Sequence, residues 1–236
     1  MPALPPDGVI HLWMTHLDVP VSPEAAAVLS REERRRADTC RNDRERRRYV
    51  VAHVSLREVL AGYVDAPAAA LRFARNEWGK PSLDAPNAPC FSLAHSADLA
   101  LIAVTASTEV GVDVEPVVPV PDCLEIARAY FSERERTELA ALPPETREHG
   151  FLRCWTRKEA LVKATGRGLA LRLDGFDVSV SPDDTSVLMH IDGDGTLWSV
   201  RTLVPQPGYV AAIALRGAVG TVQHMGFAPS GQPPDD

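Results

Sequence analysis

Lysine is nearly absent from this chain. Of its 25 basic residues only Lys80, Lys158 and Lys163 are lysines; the other 22 are arginines. Arginine serves wherever any positive charge will do, so lysine, a compact ammonium that can release a proton, marks three chosen places. Cysteine is scarce too. Cys40, Cys90, Cys123 and Cys154 show no C-x-x-C spacing and no histidine at zinc-ligand spacing. That excludes a zinc-finger reading and fits small buried thiols in a reducing compartment. A basic surplus is missing: the net charge of −7 argues against a nucleic-acid partner. No apolar run nears the roughly 20 residues that a bilayer span needs, and no basic region precedes an apolar run at the N-terminus. These absences predict a soluble, cytoplasmic protein with neither a nucleic-acid nor a membrane partner.

What is present begins with an ordinary globular composition. Apolar residues make up 45% and charged residues 24% of 236 positions, enough to bury a sizeable core as one large domain or two small ones. The most informative stretch is 151–168, FLRCWTRKEALVKATGRG. At roughly 100° per residue it gathers Phe151, Leu152, Trp155 and Val162 into one apolar arc. Glu159 falls near the middle of that arc, with Lys163 at its edge. A carboxylate on a core-facing stripe is costly unless a cation meets it. As a bare surface pair, Glu159 and Lys163 would contribute only about 0.3–0.5 kcal/mol.

Taken in order, Val9 to Leu17 reads as an opening strand. Ser22-Pro23 is an N-cap with proline at the first helical position, and Ser30 with Glu33 is a capping box. From Arg31 to Arg48 nine arginines are interleaved with acids, which fits a solvated helix face with one or two guanidinium groups reaching a phosphate. Helical periodicity runs on through Leu60 and ends by Gly62 and Pro67. Short strands follow at Leu71 to Arg75 and around Phe91, separated by the Gly79-Lys80-Pro81 turn. His95 stands at a strand end, where a histidine is by default structural. Strands are then expected at Leu99 to Thr105 and Val110 to Glu115.

In Gly111-Val112-Asp113-Val114-Glu115 the strand period puts both acids on one face and the valines on the other. Two adjacent carboxylates repel unless a cation sits between them. With Glu159 as a third and lysines nearby, an oxygen-ligand magnesium site accounts for them better than solvation does. Helices follow at Asp122 to Phe131, Ser132 to Leu142 and about Glu145 to Thr165. Ser132 and Glu135 form a second capping box, which alone could explain Glu135. Strands are expected at Phe176 to Ser181, Val187 to Ile191, Leu197 to Val204 and Tyr209 to Leu215. The layout thus repeats: 1–108 as one α+β half, 109–222 as another, with 223–236 expected as a disordered tail.

G-V-D-V-E at 111–115, F-S-x-x-E at 131–135 and W-x-x-K-E-A-x-x-K at 155–163 resemble the Sfp-like 4′-phosphopantetheinyl transferases. The G-K-P turn and His95-Ser96 agree in type and order. The tryptophan and K-E-A residues resemble the subgroup associated with polyketide and nonribosomal-peptide pathways. The resemblance implies an α+β monomer of two similar halves, a pseudo-dimer with coenzyme A in the cleft between them. It implies transfer of phosphopantetheine to a serine of an apo acyl or peptidyl carrier protein, releasing adenosine 3′,5′-bisphosphate. By the same resemblance Asp113, Glu115 and Glu159 hold Mg²⁺, with Mn²⁺ as an alternative. Glu135 would be the base, and Lys163 would contact the pyrophosphate and protonate the leaving oxygen. His95 and Lys80 would contact coenzyme phosphates; Arg36 and Arg48 are placed on the 3′-phosphate. Ala94 stands where many relatives have a hydroxyl, one hydrogen bond of about 0.5–1.5 kcal/mol fewer. Two other classes are weighed against transfer: a magnesium-dependent pyrophosphohydrolase of coenzyme A or nucleotides, and a non-catalytic module that binds coenzyme A or a partner.

Overall fold

The structure is a computed structural model and describes residues 2–181, 187–191, 195–218 and 220–227. The chain runs β1 (Val9–His16), α1 (Pro23–Ala26), α2 (Arg31–Asp38), α3 (Asp43–Val64), β2 (Phe73–Arg75), β3 (Pro81–Leu83), β4 (Cys90–Ser96) and β5 (Leu99–Thr105). It continues β6 (Val110–Pro116), α4 (Cys123–Tyr130), α5 (Glu133–Ala141), α6 (Pro144–Thr165), β7 (Val187–His190), β8 (Leu197–Leu203), β9 (Tyr209–Arg216) and β10 (Thr221–Phe227). This is the expected α+β class. Two four-stranded sheets, ordered β10-β1-β5-β4 and β6-β9-β8-β7, face each other, and β2 and β3 form a separate two-stranded ribbon.

The central strands show why the layers stack. In β5, Leu99, Leu101 and Ala103 join Ala211, Ile213 and Leu215 of β9 in one core between the sheets. The alternate residues of β5, Ile102 and Val104, pack under Leu56, Val59 and Leu60 of α3. Those of β9, Val210, Ala212 and Ala214, pack under Ala160, Leu161 and Ala164 of α6. Both strands are covered on two faces, which is why they read as unbroken apolar runs rather than alternating ones. The order of layers is therefore α3, first sheet, second sheet, α6. No described helix is long and apolar enough to cross a membrane.

The two long helices are set in place by the same device. Each has 22 residues and is preceded by a short helix that opens with a Ser-x-x-Glu capping box, Ser30–Glu33 on α2 and Ser132–Glu135 on α5. The fifteenth residue of each long helix is a buried cation that bonds the capping glutamate: Arg57 to Glu33 at 2.8 Å, and Lys158 to Glu135 at 2.8 Å. Both cations also cap carbonyls of the chain beyond their helix. Arg57 donates to Ala68 and Leu71, Lys158 to Leu173 and Phe176. Each lies over a phenylalanine ring as well, Phe73 and Phe176 respectively.

Two expectations from the sequence change. Residues 176–181 form no strand. Their backbone groups are taken by side chains instead: Glu135 accepts from the Val178 N–H, and Arg157 donates to the Ser179 and Ser181 carbonyls. Residues 223–227, placed in a disordered tail, belong to β10, which pairs in parallel with β1 (Val9 opposite Thr221, Ile10 opposite Val222). The rest of that tail, 228–236, lies outside the described residues.

At Gly111 β6 passes so close to α6 that a Cβ there would stand 2.0 Å from the Ala160 carbonyl oxygen and 2.4 Å from the Ala164 nitrogen. Both are backbone atoms, so no rotamer change could relieve the contact. Gly111→Ala is expected to cost about 1–3 kcal/mol as an overpacking change, or roughly 2–4 °C of melting temperature per kcal/mol at this length. An unchanged thermal midpoint would show that α6 has room the geometry denies it.

Candidate active site

A cavity of about 1360 Å³ opens between the layers. Arg31, Arg35 and Arg36 of α2, Tyr49 and His53 of α3, Lys80 of the turn, His95 of β4 and Lys163 of α6 all line it. The arginine-rich segment therefore does deliver guanidinium groups to a concave site, but selectively. Arg36 lines the cavity, whereas Arg48 lies outside the lining and donates two hydrogen bonds, at 2.7 and 2.6 Å, to Asp18. A bidentate pair of that kind leaves Arg48 little to offer a ligand.

Lys163 lines the cavity, whereas Asp113, Glu115 and Glu159 stand outside its lining; the Lys163 ammonium donates to Asp113 Oδ1 at 2.7 Å. Asp113 is 6% exposed, and its Oδ2 is buried with no partner. Its carboxyl is pushed up to about 6, by burial first; Lys163 opposes that shift and the neighbouring Glu115 and Glu159 add to it. Glu159 is half-buried and raised for the same first reason, with Lys163 opposing and Glu115 adding. Glu115 accepts a hydrogen bond from Ser96 Oγ at 2.6 Å. These acids feel one another, yet among the described residues no three acidic, histidine or cysteine side chains stand close enough to form a ready metal cage. The donor set still suits a small hard cation, which takes one or two carboxylates and completes its shell with phosphate oxygens and water. The unpartnered Asp113 Oδ2 is the oxygen left open for it.

Helix α6 presents its chemistry differently from the arc read in the sequence. Its fully buried face is Cys154, Arg157, Lys158, Leu161 and Ala164, while Trp155, Glu159, Val162 and Lys163 form the half-buried stripe beside it. Glu159 thus stands at the edge of the core, where a carboxylate can remain charged. The residue sunk in the middle is Lys158.

Glu135 is not part of the cavity. It is 0% exposed, and its oxygens accept from the Ser132 N–H, the Val178 N–H and the Lys158 ammonium. These are the contacts of the capping reading, with the Lys158 ammonium and the Val178 N–H added to them. Lys80 lines the cavity, but its ammonium bonds the Glu109 carboxylate and the Ala164 carbonyl in the last turn of α6. Asn76, in the same turn, donates to the Gly166 carbonyl at 2.8 Å. The G-K-P turn thus straps the C-terminus of α6 to the first half of the chain. His95 opens onto the cavity, yet the protein around it pushes its imidazole down to about 4, with the charges of His53 and Lys163 adding. Its ring is exposed at the end of β4 and can reach a ligand in the cavity with a hydrogen bond.

The α+β fold thus places an arginine-bearing cavity next to a lysine that bonds a buried carboxylate. The chain belongs to the 4′-phosphopantetheinyl transferase superfamily, whose family model matches residues 109–214. It is 36% identical to the 4′-phosphopantetheinyl transferase HetI of Nostoc sp. (strain PCC 7120 / SAG 25.82 / UTEX 2576), over 88% of each chain. It is 29% identical to the 4′-phosphopantetheinyl transferase Sfp of Bacillus subtilis (strain 168), over 86% of this chain and 90% of that one. The protein is accordingly a transferase that uses coenzyme A.

Two measurements test this electrostatic picture. Folded Asp113 keeps its proton up to about pH 6, whereas its ordinary value is 3.8. Between these the folded chain binds more protons than the unfolded one, so this group's contribution to stability declines as pH rises through that window. Asp113→Asn should therefore raise the melting temperature at pH 7, with the gain shrinking as pH is lowered toward 4; a gain that is constant with pH would refute the shift. Lys158→Met leaves Glu135 buried and unpaired, at an expected cost of about 3–5 kcal/mol. Chemical denaturation showing less than about 1 kcal/mol would mean the pair does not hold α5 against α6.

Proposed function

We propose that the chain transfers the phosphopantetheine arm of coenzyme A to a serine of an apo acyl or peptidyl carrier protein, with adenosine 3′,5′-bisphosphate leaving. The observation that carries this reading is the buried Asp113 carboxylate, one oxygen unpartnered and the other bonded to Lys163, which lines the arginine-bearing cavity. Asp113, Glu115 and Glu159 would hold Mg²⁺, or Mn²⁺, on the pyrophosphate; the ion when bound neutralises charge on the phosphates. Arg36 supplies a guanidinium for the 3′-phosphate from the far wall. His95 donates a hydrogen bond to a coenzyme phosphate. Lys163 is the group best placed to stabilise the departing phosphate oxygen, because its ammonium already stands where the carboxylates and the cavity meet. Glu135 and Lys158 serve by fixing α6, and Lys80 by fixing its end. The chain would act as a monomer, and the four free cysteines suit the cytoplasm.

Incubation with coenzyme A, Mg²⁺ and a panel of apo carrier domains should add one phosphopantetheine to a carrier, read by intact mass. Asp113→Ala should abolish the addition while the protein stays folded. Free phosphopantetheine appearing without any carrier would identify a pyrophosphohydrolase instead. Arg36→Ala should weaken coenzyme A more than its 3′-dephospho analogue, and Arg48→Ala should change neither. Equal losses on both ligands for Arg36→Ala would remove it from the 3′-phosphate.

A further inference from the structure

Glu115 has an unusual position for a ligand. It stands next to Pro116 at the end of β6, half-buried on a long side chain. Among the described residues one donor holds it, the Ser96 hydroxyl at 2.6 Å. Ser96 belongs to β4, in the opposite sheet from β6.

The hairpin that carries Ser96 is itself clamped. Ala97 takes a left-handed conformation (φ 49°) at the turn. The next residue, Asp98, accepts from the Tyr209 hydroxyl with its carboxylate and from the Leu17 N–H with its carbonyl. Tyr209 is the register partner of Pro116, the neighbour of Glu115. A closed ring of contacts results: Glu115, Pro116, Tyr209, Asp98, Ala97, Ser96 and back to Glu115. It spans both sheets, and its only link that bears on a carboxylate of the acidic group is the serine.

We propose that Ser96 is a positioning residue of the cation site. By holding one oxygen of Glu115 it turns the other toward Asp113 and Glu159, so divalent-cation affinity depends on how the two sheets are docked. The proposal rests on the reading of these acids as metal ligands. Residues that hold ligands from behind typically alter affinity by about 10–100-fold when removed.

The test is Mn²⁺ binding to the full chain with coenzyme A present, followed by electron paramagnetic resonance. Ser96→Ala should weaken Mn²⁺ about tenfold or more, and Ser96→Thr, which keeps the hydroxyl, should recover most of it. In a Glu115→Gln background the same Ser96→Ala change should have no further effect, because the serine acts through that carboxylate. Ser96→Ala binding Mn²⁺ as the parent does, or losing as much again in the Glu115→Gln background, overturns the proposal. Failure of the parent protein to bind Mn²⁺ overturns the metal reading beneath it, a separate outcome. Thermal midpoints of all the variants distinguish lost positioning from lost fold: an Ser96→Ala loss that Ser96→Thr does not recover, with both midpoints lowered alike, also counts against it.

Discussion

A helix lies directly on a strand here, with no side chain between them at residue 111. The Ala160 carbonyl and the Ala164 nitrogen occupy the space a Cβ would need. From that contact outward, β6 and α6 are locked at one separation, and their acids and lysine are brought within reach. Asp113 and Glu115 come from the strand, and Glu159 and Lys163 from the helix. The glycine of the G-x-D-x-E pattern is thus the spacer that sets how far apart the functional groups stand.

Holding the helix at the correct rotation is a different problem, and the chain solves it twice. A capping glutamate on a short helix receives a buried cation from the long helix that follows, once as Glu33 with Arg57 and once as Glu135 with Lys158. Burying such a pair stabilises little in itself, since desolvation offsets most of the attraction. Its value is directional. With Lys158 fixed to Glu135 and to two carbonyls, the next residue on the helix, Glu159, has to face the edge of the core. One half of the chain then uses the arrangement to support a cavity wall, and the other to aim a carboxylate.

Much of this was legible in the sequence. Both capping boxes, the long helix α6 and the paired acids of β6 could be read from spacing, whereas the stretch read as one helix from Arg31 to Leu60 divides into α2 and α3, with Asn42 capping the second. What could not be read was which lysine does what. Periodicity placed Glu159 at the centre of the apolar arc, yet Lys158 is the one buried, because a partner 23 residues earlier, Glu135, meets it there. Lys80 and Arg48 sit in suggestive motifs, but Glu109 and Asp18 occupy them, and nothing local announces those partners. The segment 176–181 has strand-like residues, and side chains of α5 and α6 satisfy its backbone before any strand can. Ser96 was visible only as the neighbour of His95; its contact with Glu115 crosses between sheets, beyond the reach of spacing.

The parallel pairing of β10 with β1 has a bearing on how the molecule is assembled. β1, which precedes the other described strands in the chain, acquires its outer neighbour only when residues 221–227 have been made. Until then β1 is an open border, a row of unpaired amides and carbonyls of the kind that recruits foreign strands. The amino-terminal layer, although synthesised early, is thus the one closed last, and a chain interrupted before position 221 would retain every group of the cavity while leaving that border exposed to self-association.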